Sequence, residues 1–410
     1  MGALVGRRFS AWEWALSRKK GSSPGSTFGS IFPSVCALLI FVFLPGCGGD
    51  GTGSSDLGLE GDVAMEPGQV DADALSTGGQ LQCDGIREGV GTEGGWSAEA
   101  AEIAPLIREV SPQLTDQGIM LHTSDKAGAP TTHQVYLPDA PLDRLFVFFP
   151  GTGSTPQQYE LLLSVAGSVG YHVIGLVYAN QVSVNGTCKS SEDECACLGN
   201  IRMEVLTGSD TSTDVAVGPA DSVDNRLKKL LRHLDESAPD EGWNSFVDES
   251  GNLKWEKVAL GGHSQGGGHV ALMAQRHSLA RALFFSSPAD TCLLGSDKKV
   301  ADWVDWPLKT PADRLFGLSH LREKGRDNHQ LVWDGLGMGA GRCIVDVDGS
   351  YAPYDGARML VTAVEPASGA CPASGSCDAA HGATVADVPM DAENRPVLES
   401  IWHYMLMYEP

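Results

Sequence analysis

The sequence predicts an α/β fold in three layers, with a mostly parallel central sheet flanked by helices. Short apolar runs alternate with amphipathic stretches from about residue 117 onward, the pattern of a sheet covered by crossover helices. The run Leu145-Phe146-Val147-Phe148-Phe149 is continuously apolar, as a strand buried on both faces requires. A further strand-like run at residues 255–260 ends in glycines and passes directly into a helical stretch. With 410 residues, 42% of them hydrophobic and 20% charged, the chain can bury one large domain with insertions.

The fold is not expected to begin at residue 1. Arg7, Arg8, Arg18, Lys19 and Lys20 make a basic start, and Val35 to Leu44 is an apolar run too short to cross a bilayer comfortably as a helix. Residues 1–46 are therefore expected to be a signal peptide. The segment Leu44-Pro45-Gly46-Cys47 resembles the lipobox of bacterial lipoproteins, although Pro45 is an unusual occupant of its position. That resemblance implies diacylation of Cys47 as the first mature residue and attachment to a membrane surface, with the protein exported to the periplasm or cell surface. An ordinary cleaved signal or an uncleaved anchor is the alternative. Residues 47–95 are expected to be a flexible tether. Their first part, 48–80, holds seven acidic residues and no Lys or Arg, with too little apolar surface to offset ordering entropy.

Residues 96–410 are expected to form the remaining domain. Gly118 to His122 and His133 to Leu137 are predicted as leading strands, followed by Leu145 to Phe149. Thr155 then suits a helix N-cap and Pro156 the first helical position, with Tyr159, Leu162, Leu163 and Ala166 on one face. His172 to Tyr178 is the next strand. A Gly-, Ser- and Cys-rich insertion is expected around 185–220, then a helix with Val223, Leu227, Leu230, Leu231 and Leu234 in one stripe. Trp255 to Leu260, Arg281 to Ser286, Leu315 to Ser319 and Ala357 to Val364 are predicted strands. A closing helix carries Val397, Ile401, Tyr404, Met405 and Tyr408 on one face.

Chemistry concentrates at Gly262-His263-Ser264-Gln265-Gly266, a G-x-S-x-G motif between a strand and a helix. A serine there sits on a strained turn with its hydroxyl thrust outward, and neighbouring side chains larger than hydrogen would collide with strand and helix. The helix N-terminus beyond Ser264 places partial positive charge where an oxyanion would develop. One oxyanion donor is expected to be the N–H of Gln265. The second should come from Pro150-Gly151-Thr152-Gly153, with Thr152 as donor and Gly151 allowing a close approach. Among the histidines after the later strands, His329 lies in a helical segment and His403 beside the apolar stripe of the closing helix. His381 lies in the small-residue loop Asp378-Ala379-Ala380-His381-Gly382-Ala383 and is the candidate base. Glu323 is the candidate acid, with Asp327 as alternative and Asp290 as a third.

These stretches, with Asp221-Ser222-Val223-Asp224-Asn225-Arg226 and the order nucleophile, acid, His, resemble the α/β-hydrolase superfamily, in a bacterial branch whose substrates are not assigned. The resemblance implies a three-layer α/β-hydrolase fold and a serine hydrolase acting on a small-molecule or polymer ester. It names no substrate. A peptidase or depolymerase on the same fold and a non-catalytic binding lipoprotein are the alternatives. No metal or organic cofactor is implied. A net charge of −23 argues against nucleic acid as partner, since the field would repel phosphates. Eight cysteines remain after Cys36 and Cys47, an even number that in an exported chain suggests disulfides. Cys371 with Cys377, and Cys188 with Cys195 or Cys197, are the local pairings expected; zinc at Cys195-Ala196-Cys197 is the alternative.

Overall fold

Along the run Leu145–Phe149 the side chains separate by parity. Leu145, Val147 and Phe149 enter one apolar core, and Phe146 and Phe148 enter another. A strand divided in this way must lie between two layers. The computed structural model describes residues 85–88, 104–122, 131–339, 343–369, 371–372 and 374–409. The predicted signal peptide and Cys47 lie outside these residues, as does most of the predicted tether.

The strands, in chain order, are β1 (Ile86–Glu88), β2 (Leu106–Val110), β3 (His133–Leu137), β4 (Leu145–Phe149), β5 (His172–Gly175), β6 (Val258–His263), β7 (Arg281–Phe285), β8 (Thr291–Leu294), β9 (Asp297–Val300), β10 (Leu315–His320), β11 (Ile344–Asp346) and β12 (Met359–Thr362). Ten of them form one sheet in the order β1-β11-β12-β10-β7-β6-β4-β5-β3-β2, and β8 and β9 form a separate hairpin. Among the described residues, only the β2–β3 and β3–β5 pairings in the large sheet are antiparallel. The helices α1 (Glu160–Ser168) and α6 (Glu399–Met407) cover one face. The other face is covered by α2 (Glu194–Thr207), α3 (Val223–Ser237), α4 (Gln265–Arg276) and α5 (Arg326–Gly335). The chain therefore has the three-layer α/β arrangement, with a mostly parallel central sheet flanked by helices, that was expected of it.

Several elements differ from expectation. Gly118 to His122 is not a strand: the Met120 N–H donates to Oδ1 of Asp221 at 3.0 Å and its carbonyl accepts from Arg226 at 2.8 Å. The sheet begins instead with β2, an edge strand whose half-exposed residues give no apolar run. Strand β1 falls inside the range assigned to the tether and pairs with β11. The closing helix starts at Glu399, and Val397 stays 38% exposed outside it.

The insertion is more regular than its composition suggested. Helix α2 buries Cys195, Cys197, Leu198, Ile201, Val205 and Leu206. A Cys188–Cys197 disulfide closes the turn before it, and Cys195–Cys292 ties it to β8. The zinc alternative gives way to these two bonds, because sulfur in a disulfide is not the thiolate that zinc needs. Cys371 pairs with Cys377 as expected. The Cys195–Cys292 bond spans 97 residues, a separation that no local spacing could reveal.

Candidate active site

Strand β6 ends at His263, and α4 begins at Gln265, so Ser264 alone makes the turn. Its backbone stands at φ 55° and ψ −120°, outside the regions L-residues ordinarily occupy. The flanking glycines are sterically required. A Cβ on Gly266 would lie 2.0 Å from the Phe149 carbonyl oxygen, and one on Gly262 would lie 2.4 Å from the carbonyl carbon of Gly266. The Ser264 N–H donates to Phe285 O at 3.0 Å, anchoring the turn to β7.

A cavity of about 490 Å³ opens over this turn, and Thr152, Ser264, Gln265, Glu323 and His381 all line it. The structure thus gathers onto one cavity residues that lie up to 229 positions apart in the chain (381 − 152). His381 stands at the end of a short 3-10 turn, Ala379–His381, that follows the Cys371–Cys377 disulfide. Its Nδ1–H donates to Oε1 of Glu323 at 2.5 Å. With Nδ1 engaged, Nε2 is the ring nitrogen left to exchange a proton. Its ring centroid lies 4.7 Å from that of His263, the neighbour of Ser264.

Glu323 is buried, with its side chain only 4% exposed. Burial opposes ionisation, but the hydrogen bond from His381 and the nearby imidazoles outweigh it and hold the carboxyl down at about 2. Oε2 accepts from the Ser319 hydroxyl at 3.3 Å, and that hydroxyl shares a 2.9 Å hydrogen bond with Nδ1 of His329. His329 is therefore packed against the carboxylate from behind. His403 does not line the cavity; its Nε2 lies 3.9 Å from Glu399 on its own helix.

The two other carboxylates separate clearly. Asp327 is exposed and paired with its neighbour Arg326. Asp290 is fully buried but faces a guanidinium: Nε and Nη2 of Arg202 each donate to it at 2.6 Å, and Trp303 Nε1–H donates at 2.9 Å. Of the three carboxylates proposed from the sequence, only Glu323 meets His381.

The turn after β4 also differs in detail from expectation. The Gly151 N–H donates to the Tyr159 hydroxyl at 3.1 Å, so it is not available to a ligand. Gly151 instead permits contact, since a Cβ there would meet Nδ1 of His263 at 3.1 Å and Cβ of Ser264 at 3.2 Å. Among the described residues, no hydrogen bond takes up the backbone N–H of Thr152 or Gln265. Their side chains are joined, with Oγ1 of Thr152 donating to Oε1 of Gln265 at 2.9 Å. The Val184 N–H, at the edge of the insertion, donates to the same oxygen at 3.0 Å.

No protein-family model matches the chain, and no curated protein matches it. Solved structures give weak overall likenesses. The chain is similar to esterase B from Lactobacillus rhamnosis (TM-score 0.32, 11% identity, 65% of this chain and 77% of that one). It is also similar to dienelactone hydrolase from Anabaena variabilis (TM-score 0.29, 12% identity, 63% and 85%). A third likeness is to the esterase Est2 from Thermogutta terrifontis (TM-score 0.29, 16% identity, 60% and 81%). Chemistry must be argued from the site itself.

Two arrangements at the site had no counterpart in the sequence reading. One is a directional hydrogen-bond chain. The Nε2–H of His263 donates to the His381 carbonyl at 2.8 Å, so Nδ1 accepts from the Tyr159 hydroxyl at 2.9 Å, which in turn accepts from Gly151. Burial, with His381 adding to it, lowers the His263 imidazole to about 3 and keeps it neutral, as this donor–acceptor arrangement demands. The chain joins the turn after β4, the Ser264 turn and the His381 loop. The other arrangement is Arg202, whose Nη1 donates to the Gln265 carbonyl at 2.9 Å while Asp290 holds the rest of its guanidinium. A Cβ on Gly268 would strike that guanidinium at 2.2 Å. An arginine among the apolar residues of α2 was the available signal, because a buried cation needs a partner.

Proposed function

We propose that the protein is an exported serine hydrolase that cleaves a carboxylic ester through Ser264, His381 and Glu323. The observation that carries this reading is the His381–Glu323 hydrogen bond at 2.5 Å, made by a histidine lining the same cavity as a strained Ser264. Each part then has a role. Nε2 of His381 takes the proton from Ser264 as its Oγ attacks the ester carbonyl, and ionised Glu323 fixes the imidazole tautomer and offsets its new charge. The N–H groups of Thr152 and Gln265 receive the developing oxyanion. Protonated His381 returns its proton to the leaving alcohol, and water releases the acyl group with His381 again as base. No part of this sequence calls for a metal or organic cofactor.

Anchoring belongs to the same proposal. An acylated Cys47 would hold the enzyme on a membrane outside the cytoplasm, in keeping with the disulfides at Cys188–Cys197, Cys195–Cys292 and Cys371–Cys377. Cys47→Ala should release the protein into the soluble fraction; a variant still retained on membranes would refute lipidation.

The decisive experiment compares wild type with Ser264→Ala. Wild type should label with a fluorophosphonate probe and hydrolyse a short p-nitrophenyl ester. The variant should not label, and should lose on the order of 10⁶-fold in kcat with an unchanged circular dichroism spectrum. Comparable turnover by the two proteins would end the proposal.

A further inference from the structure

We propose that the cavity takes a neutral, hydroxyl-rich ester bearing a short acyl group: chemically, a short-chain ester of a polyol. This rests on the hydrolase reading above and narrows its substrate.

The lining carries the argument. Ser183, Asn185 and Glu194 come from the insertion side, Thr291 from β8, and Lys324 and Asn328 from the segment that follows Glu323. Against these, Leu198, Ala289 and the Cys377 side chain are apolar contributions, together with the carbon stems of the polar side chains. Among the described residues, no aromatic ring except the imidazoles lines the cavity, so they offer no platform for stacking an aromatic acyl or alcohol group. A long acyl chain would cover amides and hydroxyls, stripping their water without replacing its hydrogen bonds. An alcohol rich in hydroxyls replaces them one for one.

Charge narrows the class further. Arg202 is neutralised by Asp290 and Lys324 by Asp378 at 2.6 Å, while the negative charge of Glu323 is buried and directed at the His381 ring. The two remaining charged residues of the lining, Lys189 and Glu194, have opposite signs. The cavity therefore has no dominant charge to select an anionic or cationic substrate. Its neutral side chains retain hydrogen-bonding capacity. Asn185 donates through Nδ2 to Ala289 O at 3.0 Å, leaving Oδ1 as an acceptor. Asn328 accepts through Oδ1 from Lys298 at 2.9 Å, leaving Nδ2 as a donor.

The walls are also tied in place. Cys188–Cys197 and Cys195–Cys292 hold the insertion side, and Cys371–Cys377 holds the segment carrying Asp378 and His381. Such cross-links oppose the large rearrangement that would be needed to bring an apolar trench over Ser264.

The test measures kcat/KM on 6-O-acetylglucose, on hexyl acetate, and on p-nitrophenyl esters from acetate to dodecanoate. The acetylated sugar should exceed hexyl acetate by about tenfold, and the p-nitrophenyl series should fall about tenfold from butyrate to dodecanoate. A preference for hexyl acetate, or a profile flat or rising with acyl length, overturns the proposal. Replacing both Asn185→Leu and Asn328→Leu should lower the sugar-to-hexyl ratio several-fold, and an unchanged ratio counts against the proposal. Fluorophosphonate labelling separates the two levels of failure. Labelled protein that prefers alkyl esters loses only the substrate class, whereas protein that neither labels nor turns over any ester loses the hydrolase reading as well.

Discussion

Glu323 and Asp290 are both buried carboxylates in loops that follow strands of the sheet; Glu323 lines the cavity, and Asp290 holds the arginine that bonds the Gln265 carbonyl. Their partners make them different devices. Glu323 accepts from an imidazole that is itself 43% exposed and lines the cavity. Asp290 is closed off against Arg202, 1% exposed, and Trp303. A carboxylate facing a titratable, half-exposed ring can respond to a proton moving on that ring. One locked to a guanidinium cannot, because arginine stays protonated. The same residue chemistry thus faces a ring that can exchange a proton in one place, the role the proposed mechanism uses, and a fixed cation of the scaffold in the other.

This contrast can be broken most directly at Glu323. Glu323→Gln keeps the shape but removes the charge that fixes the His381 tautomer, and should lower kcat on the order of 10⁴-fold with little change in Tm. A loss below tenfold would remove Glu323 from the catalytic set. Asp290→Ala should show the reverse signature. It strands a buried guanidinium and should cost about 3–5 kcal/mol in denaturant unfolding, while folded molecules keep most of their kcat. If kcat collapses at wild-type stability, the two carboxylates do not differ as described.

Acid should destabilise the fold through its buried imidazoles, His263 and His329 near Glu323 among them. Burial lowers His263 to about 3 and His329 to about 4, each from 6.5. Below pH 6.5 the unfolded chain therefore binds protons that the folded chain refuses. Stability from these two histidines is complete above pH 6.5. It is lost as pH falls toward 4, at about 1.4 kcal/mol per pH unit for each histidine. Glu323 adds a later loss between about 4.5 and about 2. Denaturation midpoints measured from pH 8 to 4 should decline accordingly, less steeply in His329→Asn; a flat profile would contradict neutral burial. The smallest effect belongs to Asp327→Asn, where an exposed pair with Arg326 should shift stability by less than about 0.5 kcal/mol and leave kcat within about twofold.

Some of the molecule was legible because its cause is local. The run Leu145–Phe149 could only be a doubly buried strand, and the spacing of Val223, Leu227, Leu230, Leu231 and Leu234 could only be a helix stripe; both appear with nearly those bounds. The Ser264 turn was readable for the same reason, since its glycines answer clashes within a few residues or with the adjoining strand. The edge strands β1 and β2, and β11 beside β1, were missed. They are three or five residues long, too short for periodicity to register.

The sequence by itself determined the order of the central strands β3 to β7, β10 and β12, the strained serine and the short set of histidines and carboxylates that could serve it. Only the tertiary structure brought Glu323, and not Asp327 or Asp290, to His381, joined Cys195 to Cys292, turned the Gly151 N–H to Tyr159 and placed Arg202 behind Gln265. The physical reason is separation along the chain. A hydrogen bond or disulfide between residues 58 or 97 positions apart leaves no periodic trace in either segment, and comes into being only when the sheet and its covering layers bring the two ends together.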